Sequence, residues 1–239
     1  MSPLDRHERI ALSCSGGKDS LACVELLRDQ LHRLTVYHLD SGDQLPELQA
    51  SIAYVESIAP HFVRVRSDVR DWIGRNGLPS DLVPYASHPI GRRLGQERVA
   101  IVPRYDCCWS NIMEPLLERM QADGCTLIIR GTKRADMPRL PHESGQSALG
   151  MELWLPIEHW TDADVLAFLR ASNVSVPFFY DAGLNTAPDC AHCTAWWNEG
   201  RAAFLKTHHP DVYAEYRAGL ETILHALGEP MRWLNRELA

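Results

Sequence analysis

The sequence has no apolar run near the roughly 20 residues that a membrane-spanning helix requires. Its first nine residues are polar and charged, without the apolar core of a signal peptide. It also has no internal repeat and no low-complexity tract, which argues against repeat and solenoid architectures. We therefore expect a soluble, cytoplasmic protein with no membrane partner.

Basic residues are fewer than acidic residues in this sequence. Asp and Glu number 31 against 24 Lys and Arg, for a formal net charge of −7. Broad electrostatic binding of nucleic acid needs a basic surface, so this balance argues against it, although it permits a local basic patch. Two groups of arginines are interpreted either as solvated surface or as anion-binding groups: Arg64, Arg66, Arg70 and Arg75, and Arg92, Arg93 and Arg98.

The cysteines are not needed for stability. A chain of 239 residues with 45% hydrophobic content can bury a sizeable core without disulfides. In a reducing compartment, clustered cysteines indicate metal ligands or redox groups. The seven cysteines are therefore candidates for chemistry, although Cys14, Cys23 and Cys125 lie in apolar contexts typical of small core residues.

Strand-like and helix-like segments alternate along the chain. Hydrophobic spacing predicts strands at 10–14, 34–39, 61–65 and 126–129, and helices at 19–33, about 47–58, 114–120 and 161–170. This alternation predicts a parallel sheet with right-handed crossovers, in the α/β class. Residues 76–95 and 137–150 are predicted to be loops, and the tail from residue 198 is predicted to be helical.

A glycine-rich string, Ser15-Gly16-Gly17-Lys18-Asp19-Ser20, connects the first strand to the first helix. Glycines let the backbone turn tightly and point its N–H groups at an anion, and the helix N-terminus adds unpaired donors and its dipole. The string is too short to be a Walker A motif. A plain turn capped by serine is the alternative, but the strand and helix on either side favour anion binding.

The same string resembles the pyrophosphate loop of the adenine-nucleotide alpha-hydrolase superfamily, and in particular the phosphoadenylyl-sulfate (PAPS) reductase family. Further segments resemble motifs of that family: Leu39-Asp40-Ser41-Gly42 with Pro46-Glu47, Gly131-Thr132-Lys133-Arg134, and Leu155-Pro156-Ile157 with Trp160-Thr161 and Asp164-Val165. The resemblance covers about residues 10–194. It implies a doubly wound, Rossmann-like parallel sheet with a nucleotide at the carboxyl ends of its strands.

By this resemblance Lys18, Asp19 and Ser20 are the expected catalytic residues. Asp40 and Gly42 would border the adenosine, and Lys133, Arg134 and Arg139 would face the phosphate or sulfate end. The full set of expected nucleotide-binding residues is Ser15, Gly16, Gly17, Lys18, Ser20, Asp40, Ser41, Gly42, Gly131, Lys133, Arg134 and Arg139.

Four cysteines form two pairs, Cys107-Cys108 and Cys190-x-x-Cys193, separated by 190 − 108 = 82 positions. The combination resembles the [4Fe-4S] motif of the adenylyl-sulfate reductases, and four thiolates are the usual ligand set of such a cluster. Zinc is the alternative metal, and four unrelated buried cysteines are the alternative without metal. We expect a nucleotide-binding α/β domain at 1–175 and a helical segment at 176–239 that completes the cluster site.

One motif of the family has no counterpart in these 239 residues. Its reductases attack sulfur with a cysteine in a Glu-Cys-Gly type motif near the C-terminus, and no cysteine follows Cys193 here. Other members of the superfamily cleave ATP between the α and β phosphates to activate a target for sulfur insertion. The resemblance therefore favours an ATP pyrophosphatase that uses Mg²⁺ and acts in nucleic-acid modification, such as DNA phosphorothioation or tRNA thiolation.

Two alternatives remain open. One is an adenylyl-sulfate or phosphoadenylyl-sulfate reductase that takes its thiol from elsewhere, and the other is a non-catalytic redox sensor that binds nucleotide. The expected partners are ATP or adenylyl sulfate, a sulfur-donor protein, a nucleic-acid acceptor and a second copy of the chain in a homo-oligomer.

Overall fold

The computed structural model describes residues 2–84, 87–94, 101–136, 143–195, 197 and 200–239. The chain forms two compact units, each built from several segments. The first unit comprises Met1–Asp40, Gln44–Arg66 and Pro115–Ala182, and the second comprises Ser41–Asp43, Ser67–Glu114 and Gly183–Ala239. These units interleave along the chain and differ from the contiguous ranges 1–175 and 176–239, whose status as folding domains stays a prediction.

The first unit contains a six-stranded sheet. Its strands are β1 (Ile10–Ser13), β2 (Leu34–Asp40) and β3 (Phe62–Arg66), then β6 (Leu127–Ile129), β7 (Ser147–Ala148) and β8 (Met151–Trp154). Their order is β3-β2-β1-β6-β8-β7, with every pair parallel except the edge pair β7–β8. The order reverses between β1 and β6, which is where open α/β sheets bind ligands at the carboxyl ends of their strands.

Helices cover both faces of this sheet. Apolar side chains of α1 (Lys18–Leu26), α2 (Pro46–Ile58) and α7 (Asp162–Ala171) pack with Leu12 and Ile129 on one face. Helix α6 (Glu114–Ala122) packs its Met120 with Ala11 and Ile128 on the other. The predicted α/β fold with a doubly wound parallel sheet is confirmed.

The second unit has a parallel two-stranded ladder, β4 (Leu78–Ser80) with β5 (Ile101–Pro103). Its helices are α3 (Val69–Asn76), α4 (Pro89–Arg93), α5 (Arg104–Cys108), α8 (Arg201–His208) and the long α9 (Pro210–Glu237). A π-helical turn, Trp109–Met113, continues α5 into α6. In the described part of the chain, every helix is too short or too polar to cross a membrane.

Three local predictions need correction. The helix predicted at 19–33 ends at Leu26 and continues as a 3-10 helix, Arg28–Arg33, whose three-residue period still buries Leu31. The loop predicted at 76–95 contains β4 and α4, since strands of three residues are too short for a periodic signal. The loop predicted at 137–150 contains β7, while residues 137–142 lie outside the described part.

Candidate functional site

The glycine loop follows β1 and leads into α1, as predicted. Gly16 has a positive φ of 87°, and a Cβ there would lie 3.1 Å from the Ile52 side chain and 3.3 Å from the Leu48 carbonyl oxygen. A larger residue would therefore be strained in its backbone and crowded by α2. Gly17 occupies the N-cap position of α1, so the first turn of the helix begins directly after the loop.

The hydroxyl of Ser20 holds the loop in shape. It accepts from the Gly16 N–H at 3.2 Å and donates to the Gly17 carbonyl at 3.0 Å. The Cys14 thiol donates to the same oxygen at 3.6 Å, and burial raises the pKa of Cys14, so this thiol stays protonated. Ser15 is exposed, and its hydroxyl accepts from the Gly17 N–H at 3.4 Å. Ser20 thus has a structural task, and its expected contact with nucleotide stays a prediction.

Two buried lysines meet beside the first turn of α1. The sequence has only three lysines, and Lys18 and Lys133 are 3% and 1% exposed. Lys133 arrives from the segment that follows β6, and its Nζ donates to Asp19 Oδ1 at 2.7 Å. Lys18 Nζ donates to Asp19 Oδ2 at 3.1 Å. The carboxylate of Asp19 therefore bridges the two ammonium groups.

Two further carboxylates complete this charged group. Asp162, the first residue of α7, lies with its Oδ1 2.9 Å from Lys18 Nζ and 3.2 Å from Lys133 Nζ. Asp136 Oδ2 accepts from Lys133 Nζ at 3.0 Å. Burial opposes the charge on Lys133, but the bond to Asp19 and the nearby carboxylates outweigh it and raise its pKa. Burial likewise acts against the charge of Asp162, yet Lys18 and Lys133 lower its pKa.

The hydroxyl of Tyr180 occupies a backbone N–H donor at the start of α1. It accepts from the Lys18 backbone N–H at 3.0 Å, and the Lys18 ammonium lies 5.3 Å from the centre of the Tyr180 ring. An amide that an anion would use is therefore bonded to a side chain in this state. We call Lys18, Lys133, Asp19, Asp136 and Asp162 the lysine–aspartate group.

Other predicted nucleotide residues of the first unit lie outside this group. The guanidinium of Arg134 lies 3.3 Å from Glu143 and from Glu158, and half of its side chain is exposed. Asp40 Oδ2 lies 3.7 Å from Arg64 Nη1 at the end of β2. Gly131 follows β6 and approaches the first turn of α1. Arg139 lies outside the described residues.

The second unit holds Ser41, Gly42 and all four paired cysteines. Gly42 has a positive φ of 75°, and Ser41 is buried. The Cys190 thiol donates to Ser41 Oγ at 3.7 Å. Cys107 and Cys190 share one apolar cluster with Val69, and Cys193 packs against it. The cysteine pairs, 82 positions apart, are thus brought into one region.

The thiols are close enough to act on one another electrostatically. Burial, followed by the charges of neighbouring cysteines, raises the pKa of Cys107 and of Cys108 to about 12. Burial and the charge of Cys193 raise the pKa of Cys190 well above its ordinary value. In the described residues no three His, Cys, Asp or Glu side chains are set as a metal-binding group. The four thiols fit a [4Fe-4S] cluster in chemistry and shared location, while the ligand geometry is not formed.

Hydrogen bonds from several segments hold the backbone of the turn that carries Cys190 and Cys193. Asp43 accepts from the Ala191 N–H at 2.6 Å through its carbonyl and from the His192 N–H at 3.1 Å through Oδ2. The Asp43 carboxylate also lies 2.5 Å from His192 Nδ1. Buried Arg201, at the start of α8, donates to the Cys190 and Ala191 carbonyls at 2.8 and 2.9 Å. These contacts fix the backbone on which two of the four thiols stand.

Several of these residues were missed by sequence reasoning. Asp136 and Asp162 are spaced irregularly from the loop, and only the fold brings them to Lys133. A signal for Asp162 existed, because Thr161 caps α7 and acidic residues favour the first turn of a helix. Asp43 and Arg201 carried no sequence signal, since an isolated Asp or Arg is typical of exposed surface.

Comparison with known proteins agrees with this arrangement. The chain is 24% identical to the adenosine 5'-phosphosulfate reductase of Allochromatium vinosum over 196 residues, which cover 78% of this chain and 68% of the relative. The structure of phosphoadenylyl-sulfate reductase from Candida auris, solved with phosphate, aligns with a TM-score of 0.53 at 13% identity. The alignment covers 75% of this chain and 80% of that chain, and at this identity it bears on fold alone.

No family model matches the chain. The chain is thus similar in sequence to one sulfonucleotide reductase and shares the α/β fold of another. Together with the glycine loop between β1 and α1, these similarities support the resemblance to the PAPS reductase family and the adenine-nucleotide alpha-hydrolase-like fold.

Proposed function

We propose that this protein is an enzyme that binds ATP and cleaves it to AMP and pyrophosphate, activating a target for sulfur transfer. The observation that carries the proposal is the meeting of Lys18 and Lys133 beside the glycine loop. Two of the three lysines of the chain are buried there, within 3.2 Å of Asp162 and in contact with Asp19. The similarity in sequence to an adenosine 5'-phosphosulfate reductase supports an enzyme that acts on adenine nucleotides.

The loop and the lysines would act electrostatically. In the cleavage, a nucleophile attacks the α phosphorus, the bond from the α phosphorus to the bridging oxygen breaks, and the negative charge goes to pyrophosphate. Preorganised donors stabilise such a charge best where water is excluded. The ammonium groups of Lys18 and Lys133 would supply positive charge for this task. The N–H groups of Gly16 and Gly17 would join them by exchanging their bonds to Ser20 and Ser15 for bonds to phosphate oxygens. Mg²⁺ bound to ATP would neutralise part of the phosphate charge.

In this state the carboxylates of Asp19 and Asp162 take the place of phosphate oxygens. Each lies within hydrogen-bonding distance of both ammonium groups. An incoming polyphosphate would replace the exposed carboxylate of Asp162, while Asp19, held by both lysines at the start of α1, stays to orient them. Asp19 is therefore a positioning residue in this proposal, and Asp162 competes with the phosphate for the two lysines.

The four paired cysteines are proposed to hold a [4Fe-4S] cluster, with zinc as the alternative. Cys107 and Cys108 would supply two ligands from α5, and Cys190 and Cys193 would supply two from the turn after residue 189. Such a cluster supplies redox capacity or a fixed local charge when bound. The contacts of Asp43 and Arg201 with the turn would keep Cys190 and Cys193 oriented toward it.

The test is anaerobic purification followed by parallel assays with ATP and Mg²⁺, adenylyl sulfate and phosphoadenylyl sulfate. We expect AMP and pyrophosphate from ATP, a loss of at least about 100-fold in Lys18→Ala and Lys133→Ala, and normal activity in Lys206→Ala. Lys206 is the third lysine and is exposed on α8, so it is a matched control. Equal losses in all three variants, or no turnover of ATP, would contradict the proposal.

A second function is favoured by one observation. The relative from Allochromatium vinosum is itself an adenosine 5'-phosphosulfate reductase, and 78% of this chain aligns with it. No cysteine follows Cys193 in these 239 residues, so reduction would need a thiol nucleophile from elsewhere, such as an internal cysteine like Cys14 or a partner protein. Thiol-dependent release of sulfite from adenylyl sulfate in the same assays would support this function in place of ATP cleavage.

A further inference from the structure

Helix α9 carries an apolar stripe along its C-terminal half. Leu220, Leu224, Leu227, Met231, Leu234 and Leu238 follow one another at separations of 4, 3, 4, 3 and 4 positions. This is the spacing of the a and d positions of a coiled coil, where two helices pack along a narrow seam. We call these six residues the α9 seam.

Four residues of the α9 seam are exposed, Leu224, Met231, Leu234 and Leu238, whereas Leu220 and Leu227 are half-buried. Tyr216 and Ile223 are the buried residues of this helix, and they face the rest of the second unit. Leu224 is 70% exposed, Leu234 51% and Leu238 78%. Every residue from 231 to 239 is exposed, so the described part of the chain leaves this end of the helix uncovered. Single exposed leucines are ordinary, but a continuous seam marks a contact surface.

The end of α9 is also weak as an isolated helix. Pro230 has no N–H to donate to the carbonyl of Ala226, and Gly228 is the poorest helix former after proline. Isolated helical segments shorter than about 12–15 residues are marginal in water even when they are rich in alanine. A packed partner would supply the stability that the local sequence does not.

The seam is complementary to itself. Two antiparallel copies crossing near residue 229 would form three layers: Leu220 with Leu238, Leu224 with Leu234, and Leu227 with Met231 of the second copy. Each layer pairs a d position with an a position, as antiparallel coiled coils require. Gly228 lies at the crossing, where a Cβ would meet only the Arg232 side chain at 3.6 Å, so close approach is open. At the flanks, Glu221 would lie beside Asn235 of the second copy, and like charges would not oppose one another.

We propose that the α9 seam is a dimerisation surface whose occupant is the same helix of a second copy of this chain. The arrangement has twofold symmetry and closes, since each helix contributes the same six residues. The proposal gives the predicted homo-oligomer a specific surface. It does not depend on the proposed nucleotide chemistry.

The test is sedimentation equilibrium of the full chain and of the variant with Leu234→Glu and Leu238→Glu. We expect a wild-type dimer and a rise of at least about 100-fold in the dimer dissociation constant of the variant. Both leucines are more than half exposed, so the variant leaves the core intact, and far-ultraviolet circular dichroism checks that it folds. Leu94→Glu changes another exposed leucine off the seam and should dimerise as the wild type does.

A single substitution tests the dimer contact independently. Leu224→Glu alters the other residue of the middle layer and should weaken the dimer in the same direction. A wild-type protein that stays monomeric up to its solubility limit would overturn the proposal. A dimer that survives both seam variants unchanged would overturn it as well, because the contact would then lie elsewhere.

Discussion

A Cβ atom at Gly131 would lie 2.6 Å from the carbonyl oxygen of Asp19 and 2.8 Å from the Ser20 amide nitrogen. The strand end after β6 therefore touches the backbone of the first turn of α1. Backbone cannot move aside as the end of a flexible side chain can. The glycine fixes how closely Lys133, two residues later, approaches the loop.

Gly131→Ala is accordingly expected to push α1 away from the end of β6. We expect a loss of about 1–3 kcal/mol in the free energy of unfolding by urea, together with weaker binding of pyrophosphate in calorimetric titration. Gly74→Ala is the matched control, because a Cβ at Gly74 in α3 would meet nothing within 4 Å and alanine favours a helix. Equal stability of the two variants would show that the contact at Gly131 relaxes freely.

The lysine–aspartate group makes a prediction about affinity. Asp162→Asn removes the exposed carboxylate that competes with an anion for Lys18 and Lys133. We expect pyrophosphate to bind about tenfold more tightly to this variant, since a competing charge has been removed. Asp71→Asn makes the same change of net charge on α3 and should leave the affinity unchanged. Weaker binding in Asp162→Asn would mean that this carboxylate supports the anion site.

The strand-and-helix framework was predictable from the sequence because the glycine string and the alternating segments carry their own periodic signals. The ends of elements were less predictable. Leu21, Val24, Leu27 and Leu31 fit an α-helix and also a helix that tightens to 3-10, and only the surrounding contacts decide between them. The ladder of β4 and β5 pairs residues far apart in sequence, so no local sequence pattern predicts this pairing.

Buried His38 makes a prediction about pH. Its Nδ1 donates to the Cys14 carbonyl at 2.9 Å, which favours the charged ring, but burial outweighs this and lowers the pKa of His38. The unfolded chain then binds a proton on this ring at a higher pH than the folded chain does. Stability contributed by the neutral ring is therefore present above the ordinary pKa of 6.5 and is lost as pH falls from there through the lowered pKa of the folded protein.

We expect the His38→Gln variant to lose less stability than the wild type between about pH 7.5 and pH 5, as measured by thermal unfolding. The comparison uses the slope with pH, so a uniform loss of stability in the variant does not affect it. His225→Gln, at an exposed position of α9, should keep the wild-type slope. The same slope in all three proteins would show that His38 is not the group responsible.

Helix α9 also supports the turn that carries Cys190 and Cys193. A Cβ at Gly219 would lie 2.6 Å from the methyl of Thr194, whose hydroxyl donates to the Pro79 carbonyl at 2.6 Å. Gly219→Ala should therefore cost about 1–3 kcal/mol in urea unfolding. Adding Thr194→Ser removes the methyl and keeps the hydroxyl, so the double variant should regain stability. A double variant no more stable than Gly219→Ala would contradict this explanation.

For the candidate site, the sequence predicts which residues belong to a motif better than it predicts which side chains contact them. Lys18 and Lys133 follow from motifs, whereas Asp162 and Tyr180 reach them only because α7 and the segment after it fold against α1. Arg134 belongs to the same motif as Lys133, yet its side chain lies with Glu143 and Glu158. A motif fixes the order of residues along the chain, while the direction of a side chain depends on charges that come from distant segments.

The second unit is assembled from residues 41–43, 67–114 and 183–239. During synthesis, Cys108 therefore leaves the ribosome 82 positions before Cys190. Throughout that interval a nascent chain presents, of the four paired cysteines, only the vicinal thiols of Cys107 and Cys108. The second unit can close only once residues 183–239 have been made, so the four thiols come together only near the end of synthesis.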